Sequence, residues 1–159
     1  MESAVLSRLK EIPVIVVGIC LASASLAAER KIAKSDLPAA VAKTAAQQSA
    51  GATVTGYSKG TEDGKLEYEV QMTFNGHSKD VTIAPEGKLI ETEEQVSLGD
   101  LPANVKAALQ SKAGKGKINK VESLTKNGAL VAYEARVVTA GKHSEVQVGP
   151  NGQALAHEE

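Results

Sequence analysis

A tandem repeat is the feature of this sequence that most constrains its fold. The run Asp36-Leu-Pro-Ala-Ala-Val41 recurs as Asp100-Leu-Pro-Ala-Asn-Val105, and the segment 80–87 recurs at nearly the same offset as 145–152. Self-similarity at a fixed spacing is typical of one structural unit used twice. The sequence therefore predicts two copies of one unit, residues 28–95 and residues 96–159.

The composition narrows the class of protein that these units can form. Of 159 residues, 42% are hydrophobic and 23% charged, and the formal net charge is −1. This balance excludes a disordered chain, and a near-neutral charge does not supply the field that a nucleic-acid surface needs. The chain has one cysteine and no tryptophan, which excludes a disulfide scaffold and a cysteine-based zinc site.

The N-terminal segment, residues 1–27, has the pattern of a signal peptide. No charged residue lies between Glu11 and Glu29, while Arg8 and Lys10 precede the apolar stretch. Small residues end this stretch, so we expect cleavage near Ala27, no membrane span afterwards, and a periplasmic or secreted bacterial protein without a thiol. An uncleaved N-terminal anchor is the alternative.

Each unit reads as a helix followed by antiparallel strands. Leu37 and Val41 begin an apolar stripe at helical spacing, with Ser35 or Asp36 as the cap. Residues 66–74 then alternate strictly between apolar and polar, and residues 131–138 alternate in the same phase. We expect short final strands at residues 88–92 and 153–157. The predicted fold class is α+β, with two tandem units whose helices pack on one face of a continuous antiparallel sheet.

The pattern resembles a known family of secreted bacterial proteins. A Leu-Pro near each helix start, the pairs Tyr68-Glu69 and Tyr133-Glu134, and a final hairpin with a glycine turn are similar to PepSY-like domains. The tandem arrangement over residues 35–159 resembles the β-lactamase-inhibitor-like PepSY group. This resemblance implies two units that share one concave sheet, and a binding module in the cell envelope. By analogy with the propeptides of secreted metallopeptidases, it implies an inhibitor or regulator of an exported enzyme.

Catalytic and metal-binding signals are weak. Serine and histidine are neighbours at His77-Ser78 and at His143-Ser144, but adjacent strand residues point to opposite faces. The histidines, with His157, lack the spacing of a helical zinc motif, and the acidic residues have no calcium-loop pattern. We therefore expect no enzyme, cofactor or metal. An envelope sensor of Ca²⁺, Zn²⁺ or another ligand remains the alternative, through these histidines or through the acidic strand ends, Glu91, Glu93, Glu94, Glu158 and Glu159.

The open face of the sheet is the predicted binding surface. Its outward side chains are polar, and an exposed sheet can bind a protein or peptide. Because glutamates dominate, we expect a partner surface that is basic. A second charged group, the lysines at 112, 115, 117 and 120, is interpreted as a solvated loop. The residues predicted to bind the envelope partner are Glu67, Glu69, Gln71, Thr73, Glu134 and Arg136.

Overall fold

The computed structural model describes residues 27–159, so the predicted signal peptide, apart from Ala27, lies outside the described residues. A short 3-10 turn, Lys34–Asp36, precedes the first helix. No helix in this part of the chain is long and apolar enough to cross a membrane. The other elements, in chain order, are β1 (Ala27–Lys31), α1 (Ala39–Gln48), β2 (Thr53–Glu62), β3 (Lys65–Phe74), β4 (His77–Ile83), β5 (Leu89–Val96), α2 (Ala103–Ala113), β6 (Lys117–Lys126), β7 (Ala129–Thr139) and β8 (Lys142–Val148).

The eight strands form one antiparallel sheet in the order in which they follow along the chain. Two-residue turns join the strands of three hairpins, and both residues of each turn have positive φ. These turns are Asp63-Gly64, Asn75-Gly76 and Asn127-Gly128. Such turns match the right-handed twist of the strands that they join. The α+β class and the antiparallel sheet therefore agree with the sequence prediction.

Both helices lie on the same face of the sheet. Val41 and Ala45 of α1 pack in a cluster with Tyr68, Val70 and Met72 of β3. The helix α2 contributes to a second cluster, whose buried members are Val105, Leu109, Val121, Ala135, Val137 and Val148. The buried residues of β3 are every second one, as the alternation predicts. We call the opposite side of the sheet the open face.

Three details of the predicted units are wrong. Residues 153–157 form no strand, because Gln153 closes a local turn in which its carbonyl oxygen accepts from the Gly149 N–H at 2.9 Å. The strand β5 is longer than predicted, since it pairs with β4 on one side and β6 on the other. Neither Ser35 nor Asp36 caps α1; Pro38 stands at that position, and the Asp36 carboxylate accepts from the Ala33 N–H instead.

Candidate functional site

All six residues predicted to bind a partner lie on the open face. Glu67, Glu69, Gln71 and Thr73 alternate along β3 with residues that face the helices. Along β7, Glu134 and Arg136 alternate in the same way with Ala135, which faces α2. Three strands separate β3 from β7, so at about 4.8 Å per strand the two groups are roughly 19 Å apart. They form two ends of one surface.

The strand register places further carboxylates between these two ends. Asp80 of β4 lies opposite Glu93 of β5, and Thr82 lies opposite Glu91. On the next strands, Glu122 of β6 lies opposite Glu134 of β7. Asp80 and Glu122 are not among the residues predicted from the sequence, whereas Glu91 and Glu93 belong to the acidic strand end that was the alternative cation site. Glu91 is buried, with 9% of its surface exposed.

The middle of the open face is sheltered from solvent although neither α1 nor α2 covers it. Glu122 is 1% exposed, and its neighbours Leu124 and Ala132 are similarly buried. The chain after β8 returns across this side, where the backbone N–H of Glu159 donates to the side-chain oxygen of Gln147 at 2.8 Å. The centre of the open face therefore contains buried polar groups.

A cavity of about 280 Å³ opens on this face beside β2 and β3. Carboxylates dominate its wall, and among the described residues no lysine or arginine lines it. We call it the acidic cavity. Lys126 stands near it, with its Nζ 3.6 Å from Glu91 and 4.0 Å from Glu159. The glutamates that line the acidic cavity are Glu29, Glu62, Glu67, Glu69, Glu91, Glu93 and Glu159.

Burial changes the proton affinity of the carboxylates at the β1–β3 end of the cavity. Desolvation, together with a hydrogen bond to Glu29, raises the pKa of Glu69 to about 7. The same bond, with a second from the Ser58 hydroxyl, lowers the pKa of Glu29. Burial also raises the pKa of Glu67. The Glu29–Glu69 pair therefore loses its last proton at a higher pH than an ordinary glutamate does.

The carboxyl groups at the β5 end of the cavity also have raised pKa values. Burial, followed by the charges of Glu122 and Glu91, raises the pKa of Glu93 to about 8. Desolvation is also the main reason that the pKa values of Asp80, Glu91 and Glu134 are raised. A raised carboxyl pKa means that the protein does not fully compensate the ionised form. Additional positive charge would therefore be favourable at this face.

Glu122 is the central buried carboxylate. Its charge is balanced by ion pairs, with Lys120 Nζ at 2.5 Å and Arg136 at 3.5 Å. Lys120 thus belongs to the open face, and its assignment to a solvated loop is wrong. Arg136 also pairs with Glu145 at 3.3 Å.

Three carboxylates on neighbouring strands converge closely enough to hold a cation. Asp80, Glu93 and Glu122 each place one oxygen within 4.8 Å of the others. Oxygen ligands of this kind suit Ca²⁺, which takes six to eight of them. Lys120 and Arg136 already pair with Glu122, so part of the charge that a metal ion would meet is neutralised.

The serine and histidine pairs do not form a catalytic arrangement. The Ser78 hydroxyl lies 3.4 Å from the side-chain oxygen of Gln95, and the Ser78 N–H donates to the same oxygen. His77, His143 and His157 are exposed, and they belong to β4, β8 and the chain after β8. Nucleophilic catalysis needs a hydroxyl that is hydrogen-bonded to its base. These residues do not provide that geometry.

The fold is shared with solved structures of Bacteroides proteins. A protein of Bacteroides eggerthii assigned to the periplasm is 16% identical, with a TM-score of 0.59 over 74% of this chain and 84% of that one. A DUF2874 family protein of Bacteroides ovatus is 21% identical, with a TM-score of 0.59 over 75% and 84%. A BLIP-like protein of Bacteroides fragilis is 21% identical, with a TM-score of 0.55 over 77% and 85%.

Comparison of sequences gives no closer assignment. No family model matches this chain, and no curated protein matches it. At 16–21% identity, the three structural matches establish a common fold. A fold by itself does not determine what a protein binds.

Proposed function

We propose that this chain is an exported, non-enzymatic binding module of the bacterial envelope, PepSY-like in its two tandem units. It binds a protein or peptide on the open face and thereby inhibits or regulates an exported enzyme. The acidic cavity is the observation that carries this proposal. Burial raises the pKa of Glu69 and of Glu93, and the described lysines and arginines do not fully balance the ionised forms of these carboxyls. A bound partner with positive charge would relieve that imbalance.

The compartment is supported by two independent features. The segment 1–27 has a signal-peptide pattern, and cleavage at its end would remove Cys20, the one cysteine of the chain. A protein without thiols is suited to an oxidising compartment, since it has no disulfide to form or mispair. The structural match from Bacteroides eggerthii is likewise assigned to the periplasm.

The division into two units, residues 28–95 and 96–159, is supported by sequence and by packing. The repeated motifs fall on matching elements, since Leu37-Pro38 precedes α1 and Leu101-Pro102 precedes α2. Each helix has its own hydrophobic cluster beneath it. In this interpretation β1 and β5 are equivalent, because each leads into a helix and each pairs with the strand that follows that helix.

Site-specific photo-crosslinking in the native bacterium tests where the partner binds. A photoreactive amino acid at Thr73 places the reagent on the open face, and one at Ala107 places it on an exposed position of α2 as the matched control. We expect a discrete envelope protein to be captured from Thr73 and not from Ala107. Capture of the same proteins from both positions, or of none from Thr73, contradicts the proposal.

A cation sensor is the second candidate, favoured by the close approach of Asp80, Glu93 and Glu122. A ligand that binds only the folded state raises the melting temperature. In this case Ca²⁺ or Zn²⁺ raises the melting temperature of the native protein, and Asp80→Asn abolishes the rise. Absence of a rise with either ion rejects this candidate.

A further inference from the structure

We propose that the acidic cavity receives a lysine or arginine side chain from an exposed segment of the protein partner. This inference rests on the proposed binding function and specifies the chemistry of recognition. It makes the cavity the position at which the partner is anchored on the open face. The rest of that face then contributes shape and orientation.

The wall of the cavity matches a cationic donor. Carboxylates accept hydrogen bonds and cannot donate when ionised, whereas ammonium and guanidinium groups only donate. Charge-assisted hydrogen bonds between such groups are among the strongest in proteins. Because glutamates line the cavity and no described lysine or arginine does, an entering cation would find acceptors and no competing charge on the wall.

The size of the cavity fits one long side chain. Pockets for drug-sized ligands have volumes of about 300–1,000 Å³, and the acidic cavity, at about 280 Å³, lies just below that range. Leu124, Gly60 and Thr82 also line it, and they offer apolar surface to the methylene groups of lysine or arginine. The methylene groups of a long side chain would contact this apolar surface, and its charged end would contact the carboxylates.

A buried carboxylate whose cationic partner lies at a distance is an independent indication that the cavity can accept a cation. Glu91 lines the cavity and is 9% exposed. Its partner Lys126 stands 3.6 Å away, beyond the roughly 2.7–2.9 Å of a charge-assisted hydrogen bond. Buried polar groups are ordinarily hydrogen-bonded, so Glu91 leaves acceptor capacity unused.

A metal ion fits the acidic cavity less well than a side chain does. Calcium requires its oxygen ligands at about 2.3–2.6 Å from one centre. The glutamates of the cavity come from β1, β2, β3 and β5 and from the chain after β8, so they surround a volume and not a point. Of the three converging carboxylates on β4 to β6, only Glu93 belongs to the cavity wall.

Binding of small capped peptides to the native protein tests the inference. The probes are acetyl-Gly-Lys-Gly-amide, its arginine counterpart, and the citrulline peptide, which has nearly the shape of arginine without its charge. Amide NMR signals of Gly60 and Thr61 report on the cavity wall. We expect saturable shifts with the lysine and arginine peptides at millimolar concentration. No saturable shift is expected with citrulline.

Paired charge-removing variants test whether the cavity is responsible. The variant Glu67→Gln/Glu91→Gln removes two carboxylates from the wall, and we expect it to weaken binding at least about tenfold. The matched control Glu86→Gln/Glu94→Gln removes two exposed carboxylates elsewhere. It keeps the affinity within about twofold. Melting curves verify that both variants are folded.

The result that overturns the inference is distinct from one that overturns the proposed function. Equal binding of the citrulline peptide, or equal weakening by the control variant, rejects recognition of a cation in the cavity. So does a Ca²⁺ or spermidine response at Gly60 and Thr61 when the peptides give none. In each case, capture of one envelope protein from Thr73 would still support binding on the open face. Failure of that capture rejects the proposed function itself.

Discussion

The carboxyl group of Glu69 on β3 is hydrogen-bonded to the carboxyl group of Glu29 on β1. The two residues reach each other across β2, where Ser58 donates its hydroxyl to Glu29. Gln71 completes the group by donating its amide to Glu69 at 3.0 Å. Two carboxyls can form such a bond only when one of them holds a proton. The charge of the open face therefore changes near neutral pH, above the usual range for glutamate.

This pair predicts that folding stability decreases as the pH rises toward 8. The pKa of Glu69 is raised to about 7 by burial, then by Glu29, with Asp80 as a further nearby charge. Between the unfolded pKa and this value, the folded state binds more protons than the unfolded state, so the free energy of unfolding falls with increasing pH. Glu69→Gln removes this titration while keeping a donor toward Glu29. We expect it to stabilise the protein at pH 8 by about 1–2 kcal/mol, allowing for screening of a partly exposed group.

Urea denaturation of both proteins at pH 5, 6, 7 and 8 provides the measurement. The stability of Glu69→Gln should depend less on pH than that of the native protein. The exposed replacement Glu86→Gln is the control and should leave the pH profile unchanged. Parallel profiles for Glu69→Gln and the native protein would show that the proton is not held at this pair.

A second prediction concerns the turn that packs against α2. Gly152 has φ +75°, and a Cβ there would lie 2.7 Å from the backbone oxygen of Asn104. Gly128 has φ +82° with nothing within 4 Å of such a Cβ. Alanine at positive φ costs about 1 kcal/mol by itself, and Gly152→Ala adds a clash with the first turn of a helix. We expect losses of about 1 kcal/mol for Gly128→Ala and at least about 2 kcal/mol for Gly152→Ala in urea denaturation. Equal losses would show that this contact is absent in solution.

Local patterns in the sequence were sufficient to predict most of the elements. The alternation around Val70 predicts β3 and its two faces, and the Asn-Gly and Asp-Gly pairs predict three of the hairpin turns. The sequence also predicts a strand at residues 153–157, the counterpart of residues 88–92 in the repeat, and this strand does not form. Strand β5 has a neighbour on each side, whereas β8 is the last strand of the sheet. Whether a short segment becomes a strand depends on that long-range pairing, which local sequence does not encode.

The binding site was only partly predictable, because it too depends on long-range pairing of strands. Glu67 and Glu69 follow from alternation within one strand. The burial of Glu91 depends on the register between β5 and β6, which are separated in the chain by α2. One local signal was available, because Lys120 and Glu122 are two residues apart on a strand and carry opposite charge. Residues at that spacing share a face, so their ion pair was predictable.

The Lys120–Glu122 ion pair leads to a third prediction. Glu122 is buried, and its Lys120 partner is mostly shielded from solvent. Removing one member of a buried pair leaves an uncompensated charge, which typically costs about 3–5 kcal/mol. Because Arg136 remains near Glu122, we expect Lys120→Met to cost about 2–3 kcal/mol. The double variant Lys120→Met/Glu122→Leu should recover most of that loss.

The control for the Lys120→Met variant is Lys79→Met, because the ion-pair partner of Lys79, Glu94, is half exposed. Exposed pairs contribute about 0–1 kcal/mol, so Lys79→Met should change the free energy of unfolding by less than about 1 kcal/mol. Chemical denaturation of the native protein, Lys120→Met, Glu122→Leu and the double variant gives the coupling energy between Lys120 and Glu122. If Lys120→Met costs no more than Lys79→Met, then Glu122 is compensated by other groups or by water.

The last prediction is that the exported protein begins at Ala28. Signal peptidase requires small residues before the cut, and Ser25 and Ala27 supply them. Cleavage there keeps Glu29 in the acidic cavity and keeps the pairing of Lys31 with Ser58. The intact mass of protein from the periplasm or medium should therefore match residues 28–159, and Ala27→Asp should block this cut. Ala33→Asp, beyond the cleavage site, should leave it unchanged. A mature chain that begins after Glu29 would contradict both the cleavage site and the composition of the cavity.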